Sequence, residues 1–522
     1  MKKPKLLLLL ALFLGWLTNW LFYGKAVGVS LPIFVMALLA ALALATVGDE
    51  RPFRWRNLVI IGPLFFFAVM GMVRANEFLT FLNINATLAL LSLLAYFYTA
   101  DSLTRPGLVE FAVLPLRVLG GMMTRPLPLV RQEVDFEAVR KHTGGNVAPV
   151  VRGVVIAAPV LLVFGLLLAS ADVIFANTLR NVFLFDWGFN LYELAWRGIL
   201  IIGAGWLLAG GLLYSLRHDT AVKASWPEKV MLTLSEKLPL GIIEAVTVLS
   251  LINGLFAAFV AIQFVYLFGG QQNIAFEKMT YSEYARRGFF ELIVVAVLTL
   301  ALILVLNWFT GRRSRRQMVT FNGLCTLMIG FVLVMLVSAF KRMSLYEVIY
   351  GFTELRLYVY VFMACLALVL LWFALTLWAR PDRFAIGVLV AAFGFVVALN
   401  LINPDAFIVR QNLIRYERLG YLDVEYLGTL SADAVPELIR VATAVADDQT
   451  ITAADYYSRI DIGEDRSGSY TCLETTEPNY LENNLAQRLE TLQNELESSS
   501  WPSWHYGRSQ AYNLLAQTSL LP

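Results

Sequence analysis

Residues 292–316 read LIVVAVLTLALILVLNWFTGRRSRR, and this stretch decides the fold. Eighteen consecutive residues, 292–309, carry no charge, and Arg312, Arg313, Arg315 and Arg316 follow almost at once. A helix bathed in water needs a polar face, and this run has none. It matches the ~20 apolar residues that cross a hydrocarbon core ~30 Å thick at ~1.5 Å per residue. A cation cluster directly behind such a run marks the cytoplasmic face.

Working outward, further runs of the same kind fall at 6–23, 29–47, 57–74, 78–99, 149–170, 191–216, 240–268, 287–309, 319–340, 355–378 and 383–402. Each is expected to be helical, because an open strand or loop leaves its backbone polar groups unsatisfied in lipid. The predicted fold is all-α: a polytopic membrane bundle of about eleven transmembrane helices (1–402) and a small helical soluble domain (403–522). Composition agrees: 58% of residues are hydrophobic and 15% charged, against about 25% charged in soluble proteins. The opening MKKPK and the apolar run after it imitate a signal peptide. No small-x-small cleavage site follows, so an uncleaved first span is expected.

The net charge of +2 conceals an asymmetry. Residues 403–522 hold 18 acids and 8 bases, a net of −10, whereas the preceding residues hold 21 acids and 33 bases, a net of +12. With the N-terminus inside, the cytoplasmic segments collect 22 basic residues and the outer loops 8. The positive-inside rule therefore predicts a cytoplasmic N-terminus and, after an odd number of spans, an extracytoplasmic C-terminus. Two apolar stretches fall short of spanning. Residues 108–130, broken by Pro115, Gly120, Gly121, Pro126 and Pro128, suit an inner interfacial or re-entrant helix, and 172–186, with Asp172, suits the outer interface.

In the tail, Leu481, Leu485, Leu489, Leu492 and Leu496 make one apolar helical stripe. Further helices are expected near 434–446 and 503–515. Trp501, Trp504 and Tyr506 read as part of the small domain's core, with docking on the membrane surface as the alternative.

The polar loop 269–291 is the most distinctive stretch. Thr280 and Glu283 have capping-box spacing. Glu283, Arg287 and Glu291 fall four apart, a ladder of opposite charge beside Arg286. It reads either as a ligand-facing rim or as a charged helix start at the interface. Ionisable groups inside spans are costly and therefore suspect. Here Glu291, Glu354 and Arg356, and the pair Glu193 and Arg197, all fall near outer ends, and Glu244 falls at an inner end. Asn253 sits mid-span, about 180° around the helix from Glu244, and Gln263 lies further along the same span. Asn85, Ser92, Tyr96 and Thr99 share one face of the fourth span, as a polar path or as interhelical packing.

The run YSEYARRGFFEL at 281–292 resembles the signature of an uncharacterised bacterial family of multi-pass membrane proteins, described only as a domain of unknown function. Residues 164–172, 263–270, 341–346 and 351–356 agree with it, and 403–405 and 430–436 extend it past the last span. The resemblance implies a bacterial inner-membrane protein and supplies no catalytic residues.

Common catalytic signatures are missing from the sequence: no His-Glu-x-x-His, no Gly-x-Ser-x-Gly, no phosphate-cradling Gly-rich loop. His142, His218 and His505 have no metal-binding neighbour at i+4, and Cys325, Cys365 and Cys472 form no ligand pair. No cofactor, metal or nucleic-acid partner is expected. The expected partners are the lipid bilayer and an envelope protein or small-molecule ligand at the outer face. The leading expectation for function is a non-enzymatic binding, sensing or assembly component of the bacterial envelope. The rival is a transporter or lipid/polymer flippase with a path near spans four and seven; an intramembrane enzyme ranks third.

Overall fold

A computed structural model describes residues 4–46, 57–98, 107–128, 191–216, 240–268, 289–312, 314–380, 383–419, 422–447 and 480–518. In chain order the helices are α1 (Pro4–Phe22), α2 (Ser30–Thr46), α3 (Leu58–Val73), α4 (Glu77–Phe97), α5 (Leu108–Thr124), α6 (Leu191–Leu216), α7 (Ile242–Phe268) and α8 (Phe289–Phe309). There follow α9 (Arg315–Tyr350), α10 (Glu354–Ala379), α11 (Phe384–Ile402), α12 (Pro404–Leu419), α13 (Val424–Thr429), α14 (Val435–Asp447), α15 (Tyr480–Ser498) and α16 (Tyr506–Gln517). Among the described residues the named elements are all helical.

Eight of these helices are long and apolar enough to cross a membrane: α1, α4 and α6 to α11. Two expected spans are shorter. Helix α2 has 17 residues and α3 has 16, with Pro63 inside it, so each is only about 25 Å long against a hydrocarbon core of ~30 Å. The expected span at 149–170, the stretch 172–186 and the rim at 269–288 lie outside the described residues. The largest departure from the sequence reading is α9. It runs for 36 residues, about 54 Å, so Lys341 and Arg342 lie on a helix and not in a loop. Ser314 and Gln317 close a capping box at its start, and Gly351, at φ +74°, stops it.

The apolar side chains gather into two separate cores within the bundle. One joins α1 to α6 with Ala385 and Val396 of α11; the other joins α7 to α10 with Phe384. Small residues set the closest approaches in the first. Helices α1 and α6 cross where Gly15 faces Gly205, and a Cβ on Gly15 would collide with the Ile201 carbonyl. Helix α5 packs against α6 at Gly210, where the Met122 carbonyl occupies the place a Cβ would take. Close backbone contact of this kind is how helices associate where lipid removes the hydrophobic drive.

The tail builds a third core from Ile408, Leu427, Leu438, Leu485 and Leu515, and Leu357 of α10 joins it. Its helices sit on the end of the bundle formed by the α1–α2, α3–α4 and α9–α10 turns. Gly28 leaves room for the Trp504 carbonyl, which accepts from the Val29 N–H at 2.9 Å. The aromatic trio departs from its expected place in a core: Trp501, Trp504 and Tyr506 are exposed, and Trp501 packs edge-on against Trp20 of α1. The buried residue among them is His505.

The Gly15 crossing makes a direct prediction. Gly15→Leu should cost the detergent-solubilised protein about 1–3 kcal/mol of stability or more, read as a lower Tm. Gly62→Leu, at an exposed glycine with nothing within 4 Å, should leave the Tm unchanged.

Candidate functional site

Three short turns and one helix start bring a polar cluster to the junction between bundle and tail. Asn76 is the N-cap of α4, its side-chain oxygen accepting from the Leu79 N–H at 3.0 Å. That fixes the amide so that its Nδ2 points away from the helix. There it donates to Glu354 Oε1 at 2.7 Å and to both oxygens of Asp405 at 3.1 and 3.2 Å. Asp405 lies in the first turn of α12, two residues after Asn403 ends α11 in the left-handed region at φ 55°. It is fully buried and accepts from both the backbone N–H and the hydroxyl of Ser431.

Ser431 in turn accepts from the Asp433 N–H, which aims the Asp433 carboxylate at the α3–α4 turn. Its Oδ2 takes the backbone N–H of Ala75 at 2.8 Å and of Asn76 at 3.4 Å. These are donors that a helix start leaves without an intrahelical partner, and a carboxylate there is favoured. Gly507 lets the tail approach this closely. A Cβ on it would stand 2.6 Å from the Val73 carbonyl and 2.8 Å from Asp433 Oδ1.

Arginines and a histidine complete the cluster. Arg74 donates through Nε to the Asn400 carbonyl at 2.9 Å. Asn400 also exchanges amide hydrogen bonds with Asn83 at 2.7 and 3.0 Å, joining α11 to α4. His505 Nε2 faces the Arg74 carbonyl at 3.2 Å, and Nδ1 accepts from the Arg508 N–H at 3.4 Å. That pairing requires a neutral ring with its proton on Nε2. Arg488 donates to the carbonyls of Gly428, Leu430 and Ser431 and to Asn484 Oδ1. Burial lowers the pKa of both Arg74 and Arg488, and Asp405 raises each in part; Asp433 raises Arg74 as well.

A second set of bonds ties α9 and α10 to the tail. Asn412 grips Phe352 in both directions at 3.0 Å, and the Tyr426 hydroxyl accepts from the Glu354 N–H at 2.9 Å. The Asn412 oxygen occupies the place a Cβ on Gly351 would take. Between the bundle's end and the tail is a cavity of about 680 Å³. Its bundle wall includes Asn76, Phe78 and Glu354, and its tail wall Ser431, Gln487 and Arg488. Among the described residues no group of three or more His, Cys, Asp or Glu side chains is placed to hold a metal ion.

The sequence candidates scatter. Glu354 enters the cluster. Arg356 donates to the Tyr350 and Gly351 carbonyls and covers the Tyr346 ring. Glu244 accepts from the Gly241 N–H at 2.7 Å in the first turn of α7, and Glu291 is exposed at the start of α8. Asn253 donates to the Leu324 carbonyl at 3.1 Å, and Gln263 accepts from the Ser338 hydroxyl at 2.8 Å; both join α7 to α9. The stripe on α4 divides. Asn85 is exposed and bonds the Phe81 carbonyl of its own helix, Ser92 bonds Leu88, and Tyr96 is buried against Glu110. Asp172, Glu283, Arg286 and Arg287, with Thr99, lie outside the described residues. The residues that carry the cluster, Arg74, Asn76, Asp405, Asp433, Arg488 and His505, were not singled out as candidates. Their available signals were an Asn before a helix start at Asn76, and Asn403-Pro404-Asp405 at the end of an apolar run.

A family model described as "Domain of unknown function (DUF4153)" matches residues 61–441. The match includes Asn76, Glu354, Asp405 and Asp433 and ends before Arg488 and His505. Neither a curated protein nor a solved structure matches the chain.

Two groups in the cluster respond to pH in opposite senses. Burial pushes Asp433 up from 3.8 to about 6, against the Ala75 N–H and Arg74, which lower it; Asp405 adds to the rise. Burial, with Arg508, pushes His505 down from 6.5 to about 4, while its bond to Arg74 raises it. A raised carboxyl favours the docked tail fully below its ordinary pKa, an advantage lost as pH rises through about 6. A lowered histidine favours the docked tail above 6.5, an advantage lost as pH falls toward 4. The two should largely offset in the native protein. Between pH 7 and 5, His505→Asn should therefore raise the Tm of tail release on acidification, and Asp433→Asn should lower it. Equal slopes in both variants would contradict the assignment.

Proposed function

The chain belongs to the DUF4153 family, and on that premise we propose that it is a non-enzymatic binding, sensing or assembly component of the bacterial inner membrane, with its ligand seated in the junctional cavity. The N-terminus is cytoplasmic and the C-terminal unit extracytoplasmic. One observation carries the reading. The cavity has walls from both the membrane bundle and the tail, and buried hydrogen bonds hold those walls together. Its volume falls within the ~300–1,000 Å³ of small-molecule sites. A ligand there touches both bodies at once, which is what a sensor or an assembly checkpoint requires.

A transport path near spans four and seven has less support. The polar side chains that would line it already serve other helices or their own. Asn253 and Gln263 bond across to α9, and Asn85 and Ser92 bond the preceding turn of α4.

Two measurements test the proposal. On a background without Cys325, Cys365 and Cys472, Ser499→Cys should react with an impermeant maleimide in intact spheroplasts, and Ser314→Cys only after lysis. Labelling of both from the same side would overturn the orientation. Native mass spectrometry of the full-length protein in nanodiscs should show a co-purifying adduct. The cavity-filling Gln487→Trp should reduce that adduct about tenfold, and Glu497→Trp should not. A spectrum free of adduct, or an adduct indifferent to Gln487→Trp, would overturn the binding reading.

A further inference from the structure

The cavity lies where two spans begin. Glu77 and Phe78 are the first two residues of α4, Glu354 is the first of α10, and all three line it. The first residues of a span stand at the boundary between hydrocarbon and water, so the cavity is level with the lipid head groups. Its rim also continues into lipid. Phe78 is 44% exposed, and Phe81 and Leu88, three and ten residues further on the same face of α4, are 61% and 57% exposed. These apolar side chains lead from the cavity down the outside of the helix, and Asn85, exposed among them, turns its amide back onto the Phe81 carbonyl.

The head-group end of the cavity is polar but poorly suited to an anion. Glu77, Glu354 and Glu495 face it against Arg488 and Arg508. Both arginines already have partners: Arg488 holds three carbonyls and Asn484, and Arg508 holds Glu495 at 3.0 Å. A phosphate would meet three carboxylates against two guanidinium groups that already hold other partners. An uncharged group rich in hydroxyls donates to the carboxylate lone pairs left beside the Asn76 and Arg508 bonds, and accepts from amides such as that of Gln487.

We propose that the cavity binds the uncharged, hydroxyl-rich head group of a glycolipid, with the acyl chain lying on the Phe78–Phe81–Leu88 stripe. The inference rests on the binding reading above and adds the ligand class.

The test uses the full-length protein in phosphatidylcholine nanodiscs containing a photoactivatable monoglucosyl diacylglycerol. Label is expected on peptides covering 75–81 and 484–495. Octyl glucoside should compete and free glucose should not, because the head group alone lacks the chain contact. Gln487→Ala combined with Thr491→Ala, both on exposed positions, should lower labelling about tenfold with the Tm unchanged. A phosphatidylglycerol probe of the same design should label these peptides no more than a tenth as strongly. Equal labelling by that anionic probe would overturn the head-group assignment while leaving the cavity a binding site. Sugar-probe labelling confined to other peptides would overturn the inference, and the adduct measurement would then decide separately on the cavity itself.

Discussion

The carboxylate of Asp433 lies across the free backbone N–H groups of Ala75 and Asn76, and the arrangement of the tail depends on it. Those groups belong to the N-cap of α4 and the residue before it, so they have no partner inside the helix. Without Asp433 they would be buried donors with nothing to bond, a cost of about 1–3 kcal/mol each. The tail thus supplies what the bundle's own helix start lacks. The same turn receives Gly507, chosen by space, and His505, which bonds the Arg74 carbonyl. One turn of three residues organises carboxylate, imidazole and guanidinium together.

Buried charge of this density is not a simple source of stability. Removing a carboxylate and a guanidinium from water costs several kcal/mol per ion, and their attraction offsets this only when every remaining lone pair and proton is bonded. Asp405 meets the condition closely, with Asn76 on one side and both donors of Ser431 on the other. What such a network contributes is register. An apolar contact between tail and bundle would tolerate sliding, whereas Asn76 satisfies Glu354 and Asp405 at one position only.

Much of the bundle was legible because lipid leaves so few backbone solutions. Ten of the eleven apolar runs coincide with described helices, since a run such as 292–309 has no alternative to helix in hydrocarbon. Length was less legible than existence. The end of α9 was read at the first cations, Lys341 and Arg342, but charge does not terminate a helix; the chain has to reach Gly351 before the backbone turns. The tail's leucine stripe was readable because burial follows spacing, with Leu485 and Leu492 inside. The aromatic trio was misjudged for a physical reason. Tryptophan is as much at home at a membrane interface as in a core, and composition cannot choose between them.

The cluster was the least legible part, because its members are far apart in the chain and individually ordinary. Asn76 reads as a helix cap, Arg74 as a loop cation, Asp433 as a residue before a helix. Their roles arise only when α11 ends at Asn403 and turns the tail back over the α3–α4 turn. That placement matters more than any single bond. The bundle has two apolar cores, one containing α4 and the other α10, and the tail is bonded to both: to the first through Ala75 and Asn76, to the second through Phe352 and Glu354. A body held to two halves by directional bonds fixes the angle between them, and the cavity sits where all three meet. Any ligand whose contacts differ between the seated and displaced tail must shift that equilibrium, by as much as its affinities for the two states differ. The proposed head-group recognition would therefore be coupled, through the tail, to the relative position of the two half-bundles.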